Sequence, residues 1–395
     1  MKVLIASHSY IIDLNCEKLR LLAQLEPDLQ VTIVVPKRWR PGGVVKNRIE
    51  SRAWQDGNFR VVPVSNFSEN NQGLLCFGAD LIKLLWDFRP DIIQVEQGVK
   101  GLAYTEMIVL NQLLGLKAKN LFFTWWNLPY TLKFPIAALE KFNLANTDGI
   151  VVGNTAGYEI LRQRGYQGAM QIMPQLGVDD RLFCPARKPE QQDWLHTQIR
   201  QPLDIQPDEF LIGFVGRFVP EKGVRTLLQA VTQLGDRRWK LLMLGRGELH
   251  TELQQTAHQM GISDRIVILD SVPHAEVAQY IRAMNALVLP SETTYQFKTL
   301  TAVGWKEQFG HVLIEAMACQ VPVIGSDSGE IPNVIAEAGL VFPEGDSTTL
   351  SDRLMQLIDH PSLAEEIATR GYQRAMAKYT NHALAKELLE LYRSL

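Results

Sequence analysis

The sequence predicts an α/β protein of two domains, each a mainly parallel sheet covered by helices. Short apolar runs bounded by turns alternate with amphipathic helical stretches, the pattern of repeated strand–helix–strand units. These runs fall into two separate series. A chain of 395 residues with 46% hydrophobic and 21% charged side chains is also too long for most single cores.

The first series comprises residues 3–6, 31–35, 92–95, 121–124 and 150–152. The opening MKVLIASHSYIIDL reads as the first strand and not as a secretion signal, because Ser7, His8, Ser9 and Asp13 break its apolar run and no cleavage region follows. The second series comprises 211–215, 240–244, 266–269, 286–289, 321–324 and 340–342. Between them GVDDRLFCPARKPEQQ combines proline, charge and glutamine. This places an N-terminal domain over 1–180, a linker or hinge over 181–206 and a C-terminal domain over 207–380. Residues 381–395 carry Leu384, Leu388, Leu389 and Leu391 on one helical stripe. Such a helix must dock to be stable, and it is expected back on the N-terminal domain.

With 40 basic and 43 acidic side chains the net charge is −3, so no nucleic-acid partner is expected. Cys16, Cys76, Cys184 and Cys319 are scattered without metal or redox spacing and read as reduced thiols. No apolar stretch approaches the roughly 20 residues that span a bilayer. A cytoplasmic location is expected. One basic-aromatic patch, Lys37-Arg38-Trp39-Arg40 with Lys46, Arg48 and Arg52, fits a solvated loop, an anionic inner-membrane face or a lipid-diphosphate acceptor.

Chemistry concentrates in residues 305–332, WKEQFGHVLIEAMACQVPVIGSDSGEIP. Gly310 falls where a helix should begin, and Val312, Leu313, Ile314, Ala316, Met317 and Ala318 mark that helix as buried. Glu307 precedes it and Glu315 lies inside. A carboxylate in so apolar a helix is costly unless paired or hydrogen-bonded, so Glu315 needs partners such as ligand hydroxyls. A core carboxylate satisfied by backbone amides is the plainer alternative, as is an ordinary helix-start acid for Glu307. The first helical amides, near Gly310, His311 and Val312, lack intrahelical acceptors and favour an anionic phosphate. With the glycine-rich turn 325–329 that follows, the stretch reads as a sugar-nucleotide site.

Three more loops follow strands. Gly216-Arg217-Phe218-Val219-Pro220-Glu221-Lys222-Gly223 puts a planar guanidinium fork and a mobile ammonium where a diphosphate could be neutralised. A solvated loop with one salt bridge to Glu221 is the alternative. Gly245-Arg246-Gly247-Glu248 would let backbone approach a nucleotide closely, or simply turn the chain. Pro290-Ser291-Glu292 opens a long loop to Gly304 that fits a lid, a binding element or disorder.

In this order, these segments resemble glycosyltransferase family 4, whose members share the GT-B fold of two facing Rossmann-like domains with an interdomain cleft and usually transfer a sugar with retention. The resemblance spans the C-terminal half. It implies that Arg217 and Lys222 hold the donor diphosphate, that Glu307 contacts donor-sugar hydroxyls, and that Glu315 binds the nucleotide ribose. It also implies that amides of Gly310, His311 and Val312 support the phosphates, with Gly216, Gly245 and Phe309 completing the donor site. Gly177-Val178-Asp179 resembles the family's interdomain segment. The N-terminal half departs from the pattern: Ser7-His8-Ser9-Tyr10 replaces a glycine pair, and Thr124-Trp125-Trp126-Asn127 stands where many members carry histidine. No histidine base is therefore named. His8, Trp125, Trp126 and Asn127 are acceptor-side candidates, although a structural histidine and core-filling tryptophans fit equally.

The resemblance implies a retaining hexosyltransferase using a nucleoside diphosphate sugar and a glycan or lipid-linked acceptor, in polysaccharide or glycolipid biosynthesis. No cofactor and no metal are expected, since Arg217, Lys222 and the helix-end amides balance the leaving group and no Asp-X-Asp motif is present. Loss of Arg217 or Lys222 should then lower turnover with little loss of fold. A sugar-nucleotide epimerase and a non-catalytic nucleotide-sugar-binding subunit are the alternatives.

Overall fold

A computed structural model describes residues 1–41, 47–299 and 301–395. The chain divides into two compact units, Met1–Gly177 with Asn381–Leu395, and Val178–Thr380.

The first unit is built on a sheet of eight strands. From one edge the order is Ala169–Ile172, Gly149–Val152, Lys119–Thr124, Ile92–Val95, Lys2–Ala6, Gln30–Pro36, Phe59–Val64 and Trp54–Asp56. Every neighbouring pair is parallel except the last, an antiparallel hairpin. Central strands such as Lys2–Ala6 are buried on both faces, which is why they read as unbroken apolar runs. The terminal helix Asn381–Arg393 packs on the helix Glu17–Gln24 and buries Leu384, Leu388, Leu389 and Leu391 in the core beneath that sheet. Each leucine so buried contributes about 1.5–3 kcal/mol, ample to hold a helix with little intrinsic stability.

The second unit is built on a sheet of six parallel strands, in the order Ile266–Leu269, Trp239–Leu244, Phe210–Val215, Ala286–Leu289, Val323–Ser326 and Leu340–Phe342. Successive connections run outward from Phe210–Val215 to one side, then return to build the other. The order reverses between Phe210–Val215 and Ala286–Leu289, and in such sheets a ligand crevice opens beyond the carboxyl ends at that reversal.

Several expected boundaries shift. The strand expected at 321–324 runs Val323–Ser326, because the Val321 amide turns back to the Ala316 carbonyl and Pro322 has no N–H to give to a ladder. Residues 181–206 do not stand apart: they carry the helix Pro189–Leu195 and bury Leu195, Ile199 and Ile205 within the second unit. The long loop after Ala286–Leu289 carries an antiparallel hairpin, Thr294–Lys298 with Val303–Trp305. Lys46 of the basic patch lies outside the described residues. Elsewhere in that patch Trp39 is buried, while Arg38, Arg40 and Arg48 lie 3.6–3.9 Å from Glu50 or Glu69. An interfacial aromatic anchor would need that tryptophan at the surface.

Candidate functional site

At the strand reversal of the second unit, four loops are stitched together by short polar contacts. The amide of Glu292 donates to the carbonyl of Glu221 at 2.9 Å. Ser326 Oγ donates to the carbonyl of Ser291 at 2.5 Å, and Ser291 Oγ donates to Oε2 of Glu307 at 2.7 Å. The amide of Glu330 donates to the Glu307 carbonyl at 3.1 Å. Gly223 makes the first contact possible. Its φ is +62°, and a Cβ there would lie 1.7 Å from the carbonyl oxygen of Pro290, so only glycine lets these two loops touch.

The cations occupy different surroundings. Lys222 ends a short turn with its ammonium donating to Oε2 of Glu307 and standing 5.3 Å above the Trp305 ring. Its side chain is 16% exposed and that of Glu307 9%, so this is a nearly dry ion pair. Arg217 begins the same loop, but its side chain is 56% exposed and one guanidinium nitrogen reaches buried Glu221 at 3.2 Å. The salt bridge to Glu221 considered from sequence is therefore present, and it leaves most of the fork facing solvent.

Glu307 precedes the helix His311–Ala318, whose N-cap is Gly310 at φ +82°. Among the described residues no side chain caps this helix, so the amides of His311 and Val312 are placed to meet an anion. Phe309 is buried against the ring of Tyr379 at 5.6 Å. Inside the helix Glu315 is buried, and both its protein partners are histidines on one oxygen: His274 Nε2 at 3.1 Å and His311 Nδ1 at 3.2 Å from Oε1. Burial alone would raise its pKa, yet the hydrogen bonds and charges of His274 and His311 overcome this and hold the carboxyl down at about 2. His274 is raised in turn, chiefly by the bond to Glu315 against the opposing effect of burial. His311 Nε2 is buried without a hydrogen-bond partner among the described residues.

Gly216 and Gly245 lie in the adjoining turns. A Cβ on Gly245 would come 1.9 Å from the Gly216 carbonyl, so the close approach this glycine permits is to a neighbouring loop of the protein. Arg217, Lys222, Glu307, Gly310 and His311 thus share one end of one sheet. His274 was missed in the sequence. Its signal was positional: it follows the Ile266–Leu269 strand and opens the helix His274–Ala283.

In the first unit, a buried carboxylate that sequence reading passed over organises the carboxyl ends of the strands. Glu96 accepts hydrogen bonds from Tyr10 at 2.9 Å, Gln94 at 3.1 Å and Gln175 at 2.6 Å. Trp125 joins this network by donating to Gln175 at 3.2 Å, and its indole lies over Gly153, where a Cβ would meet the ring at 2.1 Å. Trp126 and Tyr130 hold the ammonium of Lys100 at 3.9 Å from each ring centroid. Both tryptophans are thus partly buried and engaged by the protein. Asn127 is buried. The His8 ring lies tilted against Trp39 with centroids 5.0 Å apart, its Nε2 lies 2.8 Å from the Gln72 amide, and burial lowers its pKa to about 4, so the ring is neutral at physiological pH.

Among the described residues no cluster of three or more metal-ligating side chains occurs, and no helix is long and apolar enough to cross a membrane.

Residues 196–374 match the family model described as glycosyl transferases group 1. Among curated relatives, the capsular polysaccharide biosynthesis glycosyltransferase CapM of Staphylococcus aureus is 29% identical over 190 residues, 47% of this chain and 46% of CapM. A D-inositol 3-phosphate glycosyltransferase of Corynebacterium urealyticum is 29% identical over 263 residues, 64% of this chain and 56% of that protein. The chain spans about half the length of the curated relatives it matches. Among solved structures, sucrose-phosphate synthase from Thermosynechococcus elongatus aligns with 100% of this chain and 98% of its own at TM-score 0.67 and 20% identity. HepE of Anabaena, solved with UDP, aligns over 100% of both chains at TM-score 0.70 and 16% identity. At these identities the likeness shows the fold, which is GT-B, with two Rossmann-like units. Over residues 196–374, most of its second unit, this chain is similar to the glycosyl transferases of group 1.

Proposed function

We propose that this protein is a retaining glycosyltransferase that moves a hexose from a nucleoside diphosphate sugar to a hydroxyl of a glycan or lipid-linked acceptor. The observation that carries the reading is the Lys222–Glu307–Ser291 cluster beside the uncapped helix at Gly310, at the strand reversal of a group 1 domain. A diphosphate there meets the Arg217 fork, the Lys222 ammonium and the His311 and Val312 amides, while Glu307 and Glu315 face the donor sugar and the ribose.

In the reaction, the bond from the anomeric carbon to the β-phosphate oxygen breaks and a bond from that carbon to the acceptor oxygen forms on the same face. The acceptor proton passes to the departing phosphate oxygen, giving a glycoside and a nucleoside diphosphate. Arg217 and Lys222 stabilise charge as it grows on the leaving group, which lowers the barrier more than it tightens ground-state binding. Because these cations and the helix amides balance that charge, turnover should persist in excess EDTA.

UDP is the first nucleotide to try, since HepE was solved with it, followed by ADP and GDP sugars. The decisive experiment incubates purified protein with a nucleotide sugar, with and without lipid-linked or glycan acceptors. Acceptor-dependent release of nucleoside diphosphate, with an α-linked product from an α-linked donor by NMR, is expected. A rearranged donor without any acceptor would replace the reading with an epimerase, and binding without turnover would replace it with a non-catalytic subunit.

A further inference from the structure

Glu315 is a buried carboxylate whose two oxygens are treated differently by the protein. Oε1 receives His274 Nε2 at 3.1 Å and His311 Nδ1 at 3.2 Å, which uses both of its lone-pair directions. Oε2 accepts no hydrogen bond from the described residues. The two donors come from different elements. His311 lies one turn before Glu315 on the same helix, and His274 opens a separate helix that packs against it. The His274 ring also makes a T-shaped contact with Phe183, whose centroid lies 5.3 Å away at an interplanar angle of 68°. A glutamate has three side-chain torsions, and one clamp on its own helix would leave the carboxyl plane free to swing. A second clamp from another helix fixes that plane.

We propose that His274 is a positioning residue that, with His311, saturates Oε1 of Glu315 so that Oε2 alone is presented to the hydroxyls of the nucleotide ribose. The inference rests on Glu315 facing ribose and adds what orients it and which oxygen reads the sugar. Ribose selectivity then resides in the clamp as much as in the carboxylate, since orientation secured before binding is not lost from the binding energy. An ionised carboxylate only accepts hydrogen bonds, so each ring donates from the nitrogen that faces Glu315.

The test measures dissociation constants of UDP, ADP and GDP and of their 2′-deoxy and 3′-deoxy analogues by calorimetry, on the full chain. For the best nucleotide, removing the hydroxyl that Oε2 accepts should weaken binding to wild type about tenfold or more, as expected for a hydrogen bond to a charged group. In His274→Ala that discrimination should fall below about threefold, with the deoxy form bound within about twofold of wild type. His274→Gln, whose amide can donate to Oε1, should restore most of it. Should the alanine variant fail to fold, His274→Asn, too short to reach Oε1, serves in its place. An unchanged ribose-to-deoxyribose ratio in His274→Ala overturns the positioning role while leaving the ribose reading intact. A wild-type protein that binds nucleotide without discriminating either hydroxyl overturns both.

Discussion

Replacing Lys222 by methionine separates electrostatics from catalysis at the centre of the site. The Lys222 ammonium is bonded to Glu307, and both side chains are nearly dry, at 16% and 9% exposure. Lys222→Met keeps the length of the side chain but takes the ammonium away from both the Trp305 ring and Glu307, whose Oε2 still accepts from Ser291. Removing one partner of a buried pair costs about 3–5 kcal/mol. In a domain of this size each kcal/mol moves the melting temperature by roughly 2–4 °C, so the transition of the second unit should fall by roughly 6–20 °C. Arg217→Gln is the comparison, because Arg217 is 56% exposed and glutamine keeps a neutral donor near buried Glu221, so its loss should cost less than that of Lys222. The sequence alone placed the two cations together as residues whose loss spares the fold; the structure separates them. The assay is urea unfolding followed by tryptophan fluorescence, with turnover normalised to folded protein. Both single variants should lose turnover, and Lys222→Met/Glu307→Gln should recover most of the lost stability without recovering activity. A Lys222→Met protein within about 1 kcal/mol of wild type, or strictly additive effects in the double variant, would refute a buried, coupled pair.

Three other outcomes follow from the same geometry. Glu315, held at about 2 against an ordinary value of 4.5, contributes stability that is present above pH 4.5 and is lost as pH falls toward 2. That contribution is on the order of 3 kcal/mol. His274, raised above 6.5, contributes below that pH and loses its share as pH rises through its folded value. Urea midpoints from pH 2.5 to 8 should therefore show an acid limb that Glu315→Gln flattens; an equally steep limb in the variant would contradict the assignment. Gly223→Ala forces a left-handed backbone and a 1.7 Å approach to Pro290, so it should cost more than about 1 kcal/mol and weaken nucleotide binding together with stability. Glu96→Leu strips the shared acceptor from Tyr10, Gln94 and Gln175, and at about 1–3 kcal/mol for each stranded donor it should lower the first unit's stability by at least about 3 kcal/mol in denaturant titration.

What the sequence disclosed and what it hid divide along the range of the interactions. Strands buried on both faces, such as Ile92–Val95 and Ala286–Leu289, announce themselves because their whole surface is apolar. Phe59–Val64 escaped, since Arg60 and Pro63 interrupt its pattern; the structure satisfies Arg60 with Thr32 Oγ1 at 2.8 Å on the neighbouring strand. Ala169–Ile172 escaped because an edge strand without full burial needs no apolar run. The site shows the same division. That Glu315 requires partners is a local fact, a carboxylate inside an apolar helix, and it was legible. Who the partners are is not local, because His274 lies on another helix and is brought to Oε1 only by the sheet order that sets the two helices side by side. Lys222 and Glu307 repeat the lesson across two loops, each suggestive alone and neither implying the other. A sequence therefore exposes the cost of burying a charge but not the means by which that cost is met. Where the means is a side chain with its own pKa, as at His274, the site acquires a dependence on proton concentration that no motif contains.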